Sequence, residues 1–235
     1  MPRTDEAIIL AGGFGTRLQS VVKDVPKPLA PVAGRPFIAY LLDLLVKQGV
    51  RRIVLATGYL ADVVERTLGS NWHGVPLVYS VERTPLGTGG AIARAIEHLK
   101  GEAFFVLNGD TFLDLNYADF DALADSASAR ICVALADVPD VGRYGAVKTR
   151  DSRVIGFSEK GGIGQGQINA GVYRIERSLV ADFPASESFS FEQQVLVPQA
   201  SAGKVAAFTH TQGFIDIGVP EDYSRAQEFL RGYVP

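Results

Sequence analysis

An apolar run that ends in closely spaced glycines opens the chain and constrains its fold most strongly. Residues 7–11 (Ala-Ile-Ile-Leu-Ala) are typical of a short buried strand, and three glycines lie within the next four residues. Glycines after a strand let the backbone approach a ligand closely and present N–H groups to an anion. Arg17 and Lys27 follow, and two prolines stiffen the loop around Lys27. The arrangement predicts a site that holds a polyphosphate.

The glycines alone do not identify the ligand, because a plain turn would also contain them. The segment lacks the Gly-Lys-Ser/Thr ending of a P-loop. It also lacks the Gly-x-Gly-x-x-Gly fingerprint and the acidic residue about 20 positions later that bind dinucleotides. Only the whole block, from the strand to Pro26-Lys27-Pro28, favours phosphate binding over a turn.

Composition narrows the class of protein. A chain of 235 residues that is 47% hydrophobic and 21% charged is typical of one large globular domain, here predicted to span residues 1–235. A net charge of −3 gives no sign of a nucleic-acid or membrane partner. Cys132 is the single cysteine and lies in an apolar run, which favours a core position and a reducing compartment. No apolar span of bilayer length and no signal peptide is recognised, so we expect a cytoplasmic protein.

Strand and helix patterns alternate through the first half of the chain. The predicted strands are 52–56, 77–81 and 103–107, and the predicted helices are 37–48, 60–68 and 91–99. This order predicts an α/β fold with a parallel sheet and helices on both faces. Ligands of such sheets bind at the carboxyl ends of strands, so loops 12–28, 82–90 and 108–111 should form the site.

The second half is less regular. The predicted strands are 129–136, 145–148, 154–157, 168–175 and 204–208, and the predicted helices are 189–198 and one that begins at Pro220. No internal repeat or linker divides the chain. The three histidines (His73, His98 and His210) lack metal-ligand spacing and are given no role.

Two motifs near the start resemble the signature of the sugar-1-phosphate nucleotidylyltransferases. They are Leu10-Ala11-Gly12-Gly13-x-Gly15-Thr16-Arg17-Leu18 and Pro26-Lys27-Pro28-Leu29, and the likeness continues to about residue 225. It implies a Rossmann-like three-layer sandwich with a mostly parallel central sheet, the glycosyltransferase-A-like nucleotidyltransferase fold. The nucleotide-binding half would span about 1–112 and the sugar-binding half about 113–235.

The resemblance also implies roles for individual residues. The catalytic residues would be Arg17, Lys27, Asp110 and Asp216, and the two aspartates would bind Mg²⁺. The nucleotide-binding residues would be Leu10, Ala11, Gly12, Gly13, Gly15, Thr16, Glu82, Gly87 and Thr88. The sugar-phosphate-binding residues would be Gly145, Glu159, Lys160, Asn169 and Glu192.

Plainer interpretations of these residues remain open at the level of sequence. Asn108-Gly109-Asp110 is a common turn, and the alternation around Asp216 would also suit an aspartate that faces solvent. Thr88 would also suit a helix cap, and Glu82 would also suit the surface. The other charged candidates, taken singly, are more typical of a surface than of a ligand contact.

The implied reaction joins a nucleoside triphosphate and a sugar 1-phosphate, giving a nucleotide sugar and pyrophosphate. GTP is favoured because the Glu82 carboxylate would accept both adjacent donors of guanine. Residues 214–223 most resemble a subfamily that uses a heptose 1-phosphate for surface polysaccharide. Mannose-1-phosphate guanylyl transfer, uridylyl transfer and a non-catalytic nucleotide-sugar sensor are the alternatives. The sequence leaves open whether the chain forms a homo-oligomer.

Overall fold

A computed structural model describes residues 3–13, 18, 22, 25–158 and 160–233 of the chain. In chain order its strands are β1 (Glu6–Leu10), β2 (Pro31–Val32), β3 (Arg35–Pro36), β4 (Arg52–Thr57), β5 (Asn71–Trp72), β6 (Val75–Val81), β7 (Ala103–Asn108), β8 (Thr111–Leu115), β9 (Ile131–Val138), β10 (Val147–Arg150), β11 (Arg153–Phe157), β12 (Gly166–Glu176), β13 (Val205–Phe208) and β14 (Thr211–Asp216). The α-helices are α1 (Phe37–Lys47), α2 (Ala61–Leu68), α3 (Gly87–Ala95), α4 (Tyr117–Ser126), α5 (Val197–Ser201) and α6 (Pro220–Phe229).

Short turns of other helix types complete the secondary structure. Residues 192–196 (Glu192–Leu196) form a π-helix that leads directly into α5. The 3-10 helices are Lys27–Leu29, Ile96–His98, Arg177–Asp182 and Leu230–Tyr233.

One sheet of ten strands runs through the molecule in the order β10-β11-β13-β9-β12-β7-β1-β4-β6-β5. The strands β7, β1, β4 and β6 are mutually parallel, and β12 lies antiparallel between β7 and β9. Only β5, β11 and β12 run against the other seven. The sheet is therefore mixed but mostly parallel, as predicted.

Both faces of the sheet are buried under apolar residues. In β1, Ile8 belongs to one apolar cluster, whereas Ala7 and Ile9 belong to another, because successive strand residues point to opposite faces. Helix α1 packs on the Ala7 side, and α3 packs on the Ile8 side. This arrangement confirms the predicted layers of helix, sheet and helix.

Several elements differ from the sequence prediction, among them helix α4, to which the sequence analysis assigned no structure. Helix α3 begins at Gly87, four residues before the predicted start at Ala91, so the glycines of loop 82–90 belong to a helix. The sequence analysis also assigned no structure to β8, which pairs with β14 in a separate two-stranded ribbon. In the part of the chain that is described, no helix is long and apolar enough to cross a bilayer.

Candidate active site

The loops at the carboxyl ends of β1, β4, β6 and β7 surround a cavity of about 610 Å³. The carboxyl ends of parallel strands meet at one edge of the sheet, which is why distant loops come together there. Ten predicted site residues line this cavity: Leu10, Ala11, Gly12, Gly13, Lys27, Glu82, Gly87, Thr88, Asp110 and Glu192.

One end of the cavity is built around the Glu82 carboxylate. Its Oε2 accepts a hydrogen bond of 3.0 Å from the backbone N–H of Leu86, which fixes its direction. A Cβ atom at position 12 would lie 3.0 Å from Oε1 of Glu82, so a glycine at this position leaves room for the carboxylate. Burial raises the pKa of Glu82, and the Leu86 N–H and Arg94 offset part of that rise. Glu82 thus lies in the cavity wall, and the solvent-facing interpretation is not supported.

The Thr88 hydroxyl connects the two halves of the chain. It donates to Oε2 of Glu192 at 2.7 Å and accepts from the backbone N–H of Phe191 at 2.9 Å. It makes no capping hydrogen bond to α3, so the capping interpretation of Thr88 is wrong. Ser190 also donates to Glu192, at 3.1 Å. The Glu192 carboxylate is therefore held by hydroxyl groups at the cavity wall.

The glycines around Thr88 allow residues 187–191 to pack directly on α3. The backbone N–H of Gly89 donates to the Phe189 carbonyl at 2.9 Å, and the Phe189 N–H donates to the Leu86 carbonyl at 3.0 Å. A Cβ atom at position 87 would lie 2.5 Å from that same Phe189 carbonyl oxygen. We call the contact between residues 86–90 and 187–191 the α3 clamp.

The ribbon of β8 and β14 brings the two predicted metal ligands to the same place. Asp216 pairs with Thr111, and the backbone N–H of Ile217 donates to the Asp110 carbonyl at 3.0 Å. Burial raises the pKa of Asp216, and the Asp110 charge raises it further. Lys27, the Gly218 N–H and Arg143 offset part of this rise.

Lys27 neutralises Asp110 directly. Its side chain is only 10% exposed, and Nζ forms an ion pair with Oδ2 of Asp110. Lys27 begins the short 3-10 helix Lys27–Leu29 between its two prolines, and Pro28 and Leu29 are buried. The loop around Lys27 is thus anchored in the core, as a cation that must meet phosphate requires.

The two aspartates have the chemistry of a divalent-cation site. Mg²⁺ takes hard oxygen ligands and usually uses one or two carboxylates, with phosphate and water completing the shell. In the described ranges there is no group of three or more His, Cys, Asp and Glu side chains suited to a metal. A cation bound by two carboxylates alone would take its remaining ligands from water and from the phosphates of a substrate.

Arg143 is a contact of this site that the sequence analysis missed. Its guanidinium donates to Asp216 at 3.1 Å, forms an ion pair with Asp222, and lies over the Tyr144 ring, 4.6 Å from its centroid. Its position two residues before the predicted sugar-binding residue Gly145 was the available signal.

The predicted sugar-binding residues are less closely grouped. Gly145 has a φ of +84°, and Lys160 is exposed; neither of them lines the cavity, and nor does Asn169. Asn169 makes two hydrogen bonds within β12: Nδ2 donates to the Tyr173 hydroxyl and Oδ1 accepts from the Gly171 N–H, both at 2.9 Å. Four predicted site residues lie outside the described residues: Gly15, Thr16, Arg17 and Glu159.

A cavity at the carboxyl ends of parallel strands, with a lysine–aspartate pair and a second aspartate nearby, suits an enzyme that transfers nucleotides. The chain belongs to the nucleotidyl transferase family, which it matches over residues 6–232. Enzymes of this family act on nucleoside triphosphates and sugar phosphates and generally use a divalent metal ion.

The chain is similar to individual members over nearly its whole length. It is 42% identical to D-glycero-alpha-D-manno-heptose 1-phosphate guanylyltransferase of Aneurinibacillus thermoaerophilus, over 97% of this chain and 100% of that protein. It is 43% identical to the Campylobacter jejuni enzyme of the same name, over 93% of this chain and 96% of that protein. The crystal structure of HddC from Yersinia pseudotuberculosis, complexed with GMP-PN, matches with a TM-score of 0.84 and 39% identity, over 96% and 99%.

Proposed function

We propose that this protein transfers a guanylyl group from GTP to D-glycero-α-D-manno-heptose 1-phosphate. The observation that carries the proposal is that one cavity is lined both by Glu82, which follows β6, and by the Lys27–Asp110 pair beside β7, with strands β1 and β4 between them. The identity of more than 40% to two enzymes of this specificity supports the same substrates. The product would supply an activated heptose for a surface polysaccharide. The reaction consumes a nucleoside triphosphate, which suits a cytoplasmic protein.

The division of the cavity follows the two ends of GTP. Guanine carries two adjacent donors, its ring N–H and its amino group, and an ionised Glu82 would accept both. The glycine turn after β1 would present backbone N–H groups to the phosphates. The strands of residues 1–112 would thus bind the nucleotide, and residues 113–235 would bind the sugar through Gly145, Glu159, Lys160, Asn169 and Glu192.

The reaction is an in-line displacement at phosphorus. An oxygen of the heptose phosphate forms a bond to the α-phosphorus of GTP, and the bond from that phosphorus to the pyrophosphate oxygen breaks. Lys27 would neutralise the α-phosphate and the incoming phosphate, and Arg17 would hold the leaving pyrophosphate. Asp110 and Asp216 would hold Mg²⁺, which when bound supplies positive charge beside the phosphates.

A substrate grid tests the proposal. Pyrophosphate release is measured for GTP, UTP and dTTP, each with heptose 1-phosphate, mannose 1-phosphate and glucose 1-phosphate. We expect the highest kcat/KM for GTP with heptose 1-phosphate. A preference for mannose 1-phosphate would show that the proposed acceptor is wrong. A preference for UTP would show that the proposed nucleotide is wrong. The absence of turnover with every pair would favour a non-catalytic nucleotide-sugar sensor.

Substitution of the two aspartates tests the metal assignment. Asp110→Asn and Asp216→Asn should each lower kcat at least 100-fold, and the double variant should be little worse, since groups that act as a unit are not additive. Asp62→Asn, which changes an exposed carboxylate of α2, is the control. Mn²⁺ binding followed by electron paramagnetic resonance should weaken in the same variants. Near-normal turnover in either single variant would refute the assignment.

A further inference from the structure

Asn108 is the last residue of β7 and lies in the cavity wall, yet nothing in the reaction described above uses it. In the parallel pairing of β7 with β1, Asn108 lies beside Leu10, and Asp110 follows Asn108 two residues later. Within the part of the chain that the structure describes, no group forms a hydrogen bond with the Asn108 amide. A carboxamide offers two donors and an acceptor, and in Asn108 these groups are free to meet a ligand in the cavity.

The backbone behind Asn108 is shaped to hold its side chain in place. The register between β12 and β9 shifts between Asn169 and Val172, which leaves a bulge made of Ala170 and Gly171. A Cβ atom at position 171 would lie 2.8 Å from Cγ of Asn108 and still closer to its amide nitrogen. Glycine is therefore required there for two reasons, the close approach of Asn108 and a φ of +69°.

Asn169 in turn holds the bulge. Its carboxamide bridges the Gly171 N–H and the Tyr173 hydroxyl, and the Tyr173 side chain is fully buried. A chain of contacts thus leads from the buried Tyr173 through Asn169 and Gly171 to Asn108 in the cavity wall. A side chain that is supported from behind and unpaired in front is preorganised for a ligand.

We propose that the Asn108 carboxamide binds the acceptor sugar, at the hydroxyl group next to its 1-phosphate carbon. Asn108 ends the strand that lies between the nucleotide-binding strands and β12, and it stands beside the Lys27–Asp110 pair. An amide donor and acceptor pair suits a hydroxyl group, which also donates and accepts. The inference rests on the proposed function and adds the residue that reads the sugar ring beside the reacting phosphate.

The direct test pairs Asn108→Ala with a 2-deoxy analogue of the sugar 1-phosphate that the wild type turns over best. In the wild type, loss of the 2-hydroxyl should lower kcat/KM roughly 10- to 100-fold, because the amide is left unpaired. Asn108→Ala should show a similar loss with the normal sugar, a KM for GTP near the wild-type value, and almost no discrimination against the 2-deoxy sugar. Full discrimination by the variant would overturn the proposal.

GTP also carries sugar hydroxyl groups, on its ribose. The Asn108→Ala variant distinguishes binding of the ribose from binding of the acceptor sugar. If Asn108 reads ribose, Asn108→Ala should lose discrimination between GTP and 2′-deoxy-GTP and keep it for the acceptor sugar, which would overturn our assignment. If the wild type prefers an acceptor other than heptose 1-phosphate, the proposed function fails. The role of Asn108 can still be tested with that other acceptor and its 2-deoxy analogue, in the wild type and in Asn108→Ala.

A second pair of variants tests the support from behind. Gly171→Ala should displace the Asn108 amide and lower kcat/KM for the acceptor sugar about tenfold, whereas in the Asn108→Ala background the same change should have little further effect. Gly203→Ala is the matched control, since Gly203 also has a φ of +69° and a Cβ there would meet no neighbour. Equal effects of Gly171→Ala with and without the Asn108 amide would contradict the inferred contact.

Discussion

Glu82 carries its carboxylate in a wall of the cavity, where burial raises its pKa, and the Leu86 N–H and Arg94 lower it in part. The KM for GTP should therefore rise as the pH falls through this raised pKa, since only the ionised form accepts both guanine donors. Glu82→Gln should lower kcat/KM for GTP about 10- to 100-fold, narrow the preference over UTP, and flatten the pH dependence. Glu97→Gln, which changes an exposed residue, is the control. An unchanged GTP to UTP ratio would remove Glu82 from base recognition.

Asp121 holds the start of the chain against α4. Its carboxylate accepts from the backbone N–H groups of Arg3 and Thr4 at 2.7 and 2.9 Å, from the Thr4 hydroxyl at 2.7 Å, and from Arg174 at 3.2 Å. Burial raises the pKa of Asp121, but the hydrogen bonds from Thr4 and the charge of Arg174 outweigh it and leave the pKa lowered. The contact positions the entry to β1 and hence the glycine turn.

Asp121→Asn should reduce the free energy of unfolding by about 3 kcal/mol, because it leaves the buried Arg174 with fewer counter-charges. The lowered pKa stabilises the fold above the pKa of the unfolded state, about 3.9. That stabilisation is lost as the pH falls through the folded-state pKa. Urea denaturation at pH 7 and below pH 4 should show a smaller acid loss in the variant. Asp119→Asn, on an exposed position of α4, should cost under 1 kcal/mol.

Single residues also show what the sequence could and could not predict. The family resemblance of the motifs around Lys27, Glu82 and Asp110 predicted that all three meet at one site, and all three line the cavity. Their residue types alone left a turn or a surface position open. Arg143 was missed, because its partners Asp216 and Asp222 are more than 70 residues away in the chain. The roles of Arg17 and Glu159 stay predictions.

At the scale of elements, the α3 clamp gives the glycines of residues 87–90 a packing role. Gly90 is buried in α3, and a Cβ atom there would collide with the Glu187 carbonyl oxygen and lie 2.9 Å from Cβ of Leu86. Helix propensity alone predicts that Gly90→Ala stabilises the protein by about 1 kcal/mol. The collision with backbone atoms predicts a net loss of about 2 kcal/mol instead.

The sign of the stability change therefore decides whether the clamp exists. Gly90→Ala should lower the urea midpoint and raise the KM for GTP, since the clamp forms one wall of the nucleotide cavity. Gly156→Ala, where a new Cβ meets no neighbour, is the control for a glycine replacement without collision. A Gly90→Ala variant that is more stable than the wild type would show that residues 187–191 do not pack on α3.

Most elements with local signals were predicted, although helix α4 was missed despite its Asn116 cap. Elements that depend on distant pairing were not predicted. The alternating strands and helices of the first half follow from apolar periodicity within each segment. The ribbon of β8 and β14 joins segments about 100 residues apart, so no local pattern announces it. The bulge at Gly171 likewise depends on the strand beside it. The predicted division at about residue 112 stays a prediction.

The whole molecule is built on one sheet, and Cys132 lies in its central part, on β9. The Cys132 side chain is fully buried, and burial raises its pKa to about 12, although Arg174 and Arg153 lower it in part. An unfolded cysteine has a pKa of about 8.5. The Cys132 thiol reaches solvent only when the sheet separates from the helices that cover it. The ionisation of the thiol therefore reports on the unfolding of the whole domain.

The raised pKa of Cys132 predicts how stability falls in alkali. Below pH 8.5 the thiol is protonated in both states and contributes no pH dependence. Above it, the unfolded state releases a proton that the folded state keeps, so the free energy of unfolding should drop by about 1.4 kcal/mol per pH unit. Urea denaturation of the wild type and Cys132→Ala between pH 8 and 10 measures this slope, which should be smaller in the variant by the contribution of the thiol. The buried Tyr117 and Tyr173, whose pKa values are also raised, contribute equally in both proteins. Equal slopes in the two proteins would mean that the thiol ionises in the folded protein, which would contradict its burial in the core.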